Sequence, residues 1–300
     1  MGKIAVITGA SGFIGTNLRN SLVSKYDNII LCDHQNYHND KNIIDPMTLI
    51  KDVLPSSSDI EVVFHLGACS DTTCYDVDYM MKENFDYSVA LYKICMQKNI
   101  RLIYASSAAV YGDGPFKETE LCQPKNIYAK SKYLFDEYVK CYRDCWSTQL
   151  VGLRYFNVFG PYEHNKGKMA SVVYQFFQQI KKDNKIKIFK NSDKYIRDFI
   201  SVDDVVKVNL HFLENKGLSG IYNCGTSIPR SFADIAQIMK TVYDFRIEEI
   251  EMPKQLVSRY QKYTQSDNTK LRQIAHYKED FLSLEDGVLR YLNYLEKQCV

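Results

Sequence analysis

The chain opens on an apolar run that stops at a glycine, and this junction limits its fold more than any other feature. Val6-Ile7-Thr8-Gly9-Ala10-Ser11-Gly12-Phe13-Ile14-Gly15 carries three glycines at three-residue spacing. They lie between a stretch that reads as a strand (Lys3–Thr8) and one that reads as a helix (Phe13–Lys25). Gly9 permits a tight turn, Gly12 lets backbone approach a pyrophosphate, and Gly15 lets the helix pack close on the strand. The first helical turn, with Phe13 and Ile14, then offers unpaired N–H groups and the positive end of its dipole to phosphates. The pattern predicts a dinucleotide-binding βα unit. Asp33 closes a second strand (Asn28–Cys32), 18 residues beyond Gly15, where a carboxylate takes the hydroxyls of an adenosine ribose. An acid there favours NAD because it repels a 2′-phosphate. Lys41 follows after a polar loop, placed to pair with such a phosphate. These residues by themselves leave NAD and NADP both open.

The alternation continues. Val62–His65, Arg101–Ser106 and Gln149–Arg154 read as buried strands, and Tyr79–Gln97 and Tyr128–Cys141 as helices. Repeated βα units predict an α/β fold with a doubly wound parallel Rossmann sheet. After about Asn157 the pattern changes. Gly160–Gly167 reads as a polar loop, Met169–Lys182 as a helix and Lys185–Phe189 as a short strand. Phe199–Val202 and Asp203–Leu213 read as a strand and helix that return to the main sheet. The expected division is a dinucleotide-binding domain of residues 1–157 plus about 197–224. A smaller mixed α/β substrate domain, about 158–196 and 225–300, interleaves with it.

With 300 residues, 45% hydrophobic and 25% charged, a sizeable core is expected. A net charge of +2 gives no electrostatic case for nucleic acid. The lysine-rich stretch 181–187 reads as a solvated surface. No run approaches the roughly 20 apolar residues of a membrane span, and glycines interrupt the N-terminal run too early for a signal peptide. A cytoplasmic protein without a membrane partner is expected. The nine cysteines form no CxxC pair and lie apart from the histidines, so reduced structural thiols are expected and no metal site.

Tyr128 and Lys132 stand four apart at the start of a helix and share one face. A free tyrosine, with a pKa near ~10, is a poor base at neutral pH. A neighbouring ammonium, or a positive nicotinamide, favours the phenolate. Tyr128 is then expected to pass the proton that accompanies hydride transfer, with Lys132 holding the nicotinamide ribose. Ser107, after a strand, is expected to orient the substrate oxygen. Such acid–base help is worth about 10²- to 10⁴-fold. A Tyr/Lys pair alone is ordinary helix surface; the glycine turn, the serine and the pair in this order are what one sheet would need.

Several longer segments carry a resemblance. They are His65–Ser70 (HLGACS) with Thr72-Thr73, Tyr104–Gly112 (YASSAAVYG), Arg154–Pro161 (RYFNVFGP), Lys166–Val172 (KGKMASV), Arg197-Asp198-Phe199 and Arg259–Asp267 (RYQKYTQSD). Together with the motifs above, they resemble the extended short-chain dehydrogenase/reductase family over nearly the whole chain. Within it they are similar to the ADP-glycero-manno-heptose 6-epimerases. The resemblance implies Tyr128, Lys132 and Ser107 in the roles argued above, and Lys166 as a second acid/base opposite Tyr128. Read without the resemblance, Lys166 is a solvated loop charge.

The resemblance also implies a tightly held NADP. Around the cofactor it places Gly9, Gly12, Phe13, Ile14, Gly15, Asp33, His34, Lys41, Leu66, Gly67, Ala68, Cys69, Ser70, Asn84, Lys132 and Val158. Asn157, Lys168, Gln175, Phe189, Asn191, Ser192, Arg197 and Tyr260 fall at the nucleotide-sugar, expected to be ADP-heptose; Arg197 is suited to a diphosphate by charge and fork geometry. A homo-oligomer is implied. The chain departs from the family at Leu66 and Lys190, where Glu is usual, at Lys168, where Ser is usual, and at Gln175, where His is usual. The loop before Val62 is shorter. A 4-epimerase on the same scaffold needs Tyr128 alone. A 4,6-dehydratase needs an acid pair after Ser107, where Ala108 and Ala109 stand. A non-catalytic binding module would tend to lack Tyr128 or Lys132.

Overall fold

A computed structural model describes residues 2–253 and 261–298. In chain order the first strands are β1 (Ile4–Thr8), β2 (Asn28–Cys32), β3 (Ile43–Ile44), β4 (Ile60–His65), β5 (Arg101–Ser107) and β6 (Leu150–Tyr155). They are followed by β7 (Asn157–Phe159), β8 (Lys185–Phe189), β9 (Ile196–Ser201), β10 (Gly220–Cys224), β11 (Pro229–Ser231) and β12 (Arg246–Ile250). The longer helices are α1 (Phe13–Leu22), α2 (Tyr87–Gln97), α3 (Ile127–Cys141), α4 (Val172–Asp183), α5 (Val202–Glu214), α6 (Phe232–Lys240) and α7 (Leu284–Gln298).

The main sheet has seven parallel strands in the order β10-β6-β5-β4-β1-β2-β3. The order reverses beside β1, so the connections from the ends of β1 and β4 part to opposite faces and leave a crevice between them. The central strands read as unbroken apolar runs because helices cover both faces. Leu18 and Leu22 of α1 and Val205, Val208 and Phe212 of α5 pack on one face. Leu91 and Cys95 of α2 and Phe135 and Val139 of α3 pack on the other.

A second apolar core lies outside this sheet. Phe176, Phe177 and Ile180 of α4, Ile186 and Ile188 of β8, Ile235 and Met239 of α6, and Val288 and Leu292 of α7 form it. Each such buried side chain contributes about 1.5–3 kcal/mol of transfer energy. Two small sheets accompany this core: β12 parallel to β8, and β9 between β7 and β11.

The structure corrects three expectations. The strand expected at Phe199–Val202 does not return to the main sheet. It starts at Ile196, pairs with β7 and β11, and leaves β10 to complete the large sheet beside β6. The helix expected from Met169 begins at Val172, because the Ser171 hydroxyl accepts from Tyr174 N–H and caps it. The stretch Gly160–Gly167 is not wholly polar loop: Glu163 is fully buried, and His164–Met169 forms a short 3₁₀ turn. Among the described residues the cysteines are free, and no helix is long and apolar enough to cross a membrane.

Candidate active site

At the crevice, Gly9 adopts a φ of +68° and lies against Gly67 at the end of β4. A Cβ on Gly9 would fall 2.6 Å from Gly67 N, and one on Gly15 would overlap the Gly9 carbonyl oxygen. A Cβ on Gly12 would sit 3.2 Å from that oxygen, a contact that a small shift relieves. Gly9 and Gly15 are therefore required by packing, which makes a weaker demand at Gly12. No side chain caps α1 at Gly12, so its first N–H groups are left for an anion. This bare backbone cradle fits a diphosphate.

Asp33 holds the turn from below. Its Oδ2 accepts from Ser11 N–H at 2.9 Å and its Oδ1 from Gln35 N–H at 3.2 Å, which leaves lone pairs for a ribose hydroxyl. His34 sits beside it with Nε2 2.8 Å from Glu83 Oε2.

One cleft of about 1000 Å³ runs from this turn to the ends of β5 and α3. Ser107 ends β5, where its hydroxyl accepts from Ala109 N–H at 3.2 Å and faces Tyr128 on α3. Burial raises the Tyr128 phenol above its ordinary range, and the Ser107 hydroxyl pulls the other way. The expected lowering by the Lys132 ammonium is not what governs Tyr128 here. Lys132 Nζ instead donates to the Ala105 carbonyl at 2.9 Å. Burial brings the Lys132 ammonium down to about 8, against the pull of Asp136.

Asp136 was not singled out from the sequence, although Tyr128, Lys132 and Asp136 follow one helix face at four-residue steps. Fully buried, its carboxylate accepts from the Tyr104 hydroxyl, the Ser106 hydroxyl and Arg154 Nε, each at 2.9 Å. Arg154 in turn stacks 4.7 Å from the Tyr111 ring centroid. This network fixes the face of α3 that presents Tyr128 and Lys132.

Lys166 enters the same cleft from the 3₁₀ turn, half-buried, with Nζ 5.6 Å from the Phe13 ring centroid. Burial lowers its amine from the ordinary range, and Glu163 opposes this. The solvated loop charge expected without the resemblance is therefore not what forms. Leu66, Gly67, Ala68, Cys69, Ser70, Val158 and Lys168 also line the cleft, as do Phe13, Ile14 and Gly15.

Other candidate residues lie elsewhere. Lys41 is exposed on the turn before β3, outside the cleft lining. Asn84 lies behind the wall, in a π-helical turn (Lys82–Asp86), almost fully buried. Its amide clamps Cys69 N and O and reaches Ser131 Oγ at 3.0 Å. Gln175 donates to the Gly167 carbonyl at 2.8 Å and so braces the Lys166 turn. Asn157 opens β7 and faces Thr264. Phe189 ends β8, Asn191 and Ser192 lie on the β8–β9 connection, and the buried Arg197 on β9 lies 5.8 Å from the Phe232 ring centroid. Tyr260 lies outside the described residues. Among the described residues no cluster of His, Cys, Asp or Glu suits a metal.

The profile of the NAD dependent epimerase/dehydratase family matches residues 5–225. ADP-L-glycero-D-manno-heptose-6-epimerase of Brachyspira hyodysenteriae is 45% identical, over 97% of this chain and 98% of its own length. The crystal structure of the Helicobacter pylori ADP-L-glycero-D-manno-heptose-6-epimerase superposes with a TM-score of 0.84 at 30% identity, over 98% of this chain and 96% of that one. UDP-glucose 4-epimerase of Thermotoga maritima shares the fold, with a TM-score of 0.87 at 24% identity over 99% of this chain and 100% of that one. The glycine cradle, the Ser107–Tyr128–Lys132 cluster and these likenesses agree: the chain belongs to the NAD dependent epimerase/dehydratase family.

Proposed function

We propose that the chain is a nucleotide-sugar epimerase that inverts C6 of ADP-glycero-manno-heptose, converting the D-glycero form to the L-glycero form. The observation that carries this reading is that Tyr128 and Lys166, from α3 and from the 3₁₀ turn, line one cleft. A bound nicotinamide supplies the hydride acceptor and donor. Tyr128, oriented by Ser107, takes the hydroxyl proton as C6 becomes a carbonyl. After the carbonyl turns its other face, Lys166 gives the proton that restores the hydroxyl. Lys132 holds the nicotinamide ribose near Tyr128. The glycine cradle and the first N–H groups of α1 hold the diphosphate of the cofactor, and Asp33 its adenosine ribose. Arg197 takes the substrate diphosphate.

NADP is the form that the resemblance implies, while Asp33 inside the cleft and Lys41 outside its lining favour NAD. The mass of the nucleotide released from purified protein decides between them. We further propose a cytoplasmic homo-oligomer, with the interleaved domain division stated above; light scattering of the purified protein reports the assembly.

The functional test follows product stereochemistry by NMR with ADP-glycero-manno-heptose. Tyr128→Phe is expected to lower kcat by about 10²- to 10⁴-fold. Lys166→Ala is expected to fold normally and to lose C6 inversion to a similar degree. Full turnover in Lys166→Ala would remove the two-base reading and leave an epimerase that works through Tyr128 alone. Full turnover in Tyr128→Phe would remove the enzyme reading.

A further inference from the structure

The turn that carries Lys166 is built around a carboxylate for which the reaction above has no step. Glu163 is completely buried. Its Oε2 accepts from Ser171 N–H at 2.6 Å, and its Oε1 accepts from the Ser171 hydroxyl at 2.6 Å and from Gly160 N–H at 3.4 Å. Tyr291 of α7 faces the same carboxyl. One side chain thus ties both ends of the 160–171 segment together, against a distant helix. Lys166 N–H donates to the Glu163 carbonyl at 3.0 Å, so the lysine is fixed to the backbone of the residue that closes the turn.

We propose that Glu163 is the positioning residue of Lys166: it locks the turn that aims the amine into the cleft, and it supplies the buried negative charge that faces that amine. The catalytic consequence rests on the reading of Lys166 as an acid/base; the coupling between the two side chains does not.

The physical argument is one of compensation. Burial penalises the charged form of Lys166, and the Glu163 carboxylate favours it. Burial also pushes the Glu163 carboxyl up, while the Ser171 donors, Lys166 and Gly160 N–H favour its ionised form. Tyr291, itself faced by Tyr174 and Tyr294, packs on the carboxyl as a neutral phenol whose own ionisation burial pushes far up. Lys166 meets the Phe13 ring on its cleft side. Neutralising Glu163 therefore leaves burial unopposed, and the amine gives up its proton at lower pH.

The test labels the full chain with ¹³C by reductive methylation and follows the lysine signals by NMR against pH. The Lys166 signal is the one missing from Lys166→Arg. In Glu163→Gln its midpoint is expected to fall by about 1–2 pH units. In Glu163→Asp, which keeps the charge, it returns toward wild type. The basic limb of the kcat–pH profile moves with it. An unchanged Lys166 midpoint in Glu163→Gln overturns the proposal. A midpoint that moves while the rate profile stays in place supports the coupling and removes Lys166 as acid/base.

Should Glu163→Gln fail to fold, the reciprocal variant reads the same coupling from the partly exposed partner. Glu163 has a raised folded-state pKa, so its contribution to stability is present at low pH and lost as pH rises through that value. Lys166→Met raises that pKa further and is expected to deepen the fall in unfolding free energy as pH rises above the ordinary carboxylate range. A fall equal to wild type overturns the proposal.

Discussion

His65 ends β4 almost fully out of water, and its two ring nitrogens are committed in opposite senses. The Ser88 hydroxyl donates to the Asn84 carbonyl at 2.6 Å, so it accepts from His65 Nε2–H at 2.8 Å. Gly67 N–H donates to Thr8 Oγ1 at 3.1 Å, which leaves the Thr8 hydroxyl proton free to be given to His65 Nδ1, 2.7 Å away. This arrangement suits a neutral imidazole with its proton on Nε2. Burial, helped by the Lys132 charge, accordingly lowers His65 from 6.5 to about 3. A depressed folded-state pKa means that stability is present above pH 6.5 and is lost as pH falls toward 3. Between pH 7 and 4 the wild type is expected to lose roughly 3 kcal/mol more unfolding free energy than His65→Gln, as read by urea denaturation at each pH. Equal losses would show that His65 is not held neutral. At this scale the motif residues Ser107, Tyr128 and Lys132 were legible in the sequence. The charge states were not: burial sets the directions at Tyr128 and Lys132, and burial is a property of what packs on a residue.

On the proposed reading the glycine turn is the element that holds the nucleotide, and its glycines separate stability from binding. A Gly15→Ala methyl would meet the Gly9 carbonyl oxygen, a backbone atom that cannot swing away. The expected cost is about 1–3 kcal/mol of stability together with loss of bound nucleotide. Gly12→Ala places its methyl 3.2 Å from the same oxygen and is expected to keep its urea midpoint while losing nucleotide. Urea midpoints and the absorbance of released nucleotide check both; a Gly12→Ala protein that retains its nucleotide would separate the turn from the phosphates. The strand–turn–helix around these glycines was legible because every constraint on it lies within a few residues. Strand β9 was placed in the wrong sheet for the converse reason. Phe199 packs in the second core and Ile200 in the first, so its apolar run fits either sheet. β7 and β11, three residues each, carry too little pattern to announce themselves.

Across the whole molecule, Asp198 is where distant segments meet. From β9 its carboxylate accepts from N–H and hydroxyl of Thr226, from Ser227 N–H, and from N–H and hydroxyl of Ser266, at 2.6–3.0 Å. It thereby joins the small sheet to the loop that leaves β10 and to the segment before α7. Asp198→Ala strands several buried donors and is expected to cost at least about 3 kcal/mol, seen as a lower melting temperature; an unchanged value would mean that other contacts hold these segments. The order of residues was sufficient by itself for the βα alternation, the glycine cradle and the Tyr128–Lys132 face, since each is set by local spacing. Only the tertiary structure decided that Glu163 is buried beneath the turn from which Lys166 reaches the cleft. It likewise decided that Asp136 and Arg154 pair behind α3 and that His65 is held neutral. Whether neighbours such as Glu163 and Lys166 or distant residues such as His65 and Lys132, these groups have their charges fixed by desolvation only once the core has closed around them.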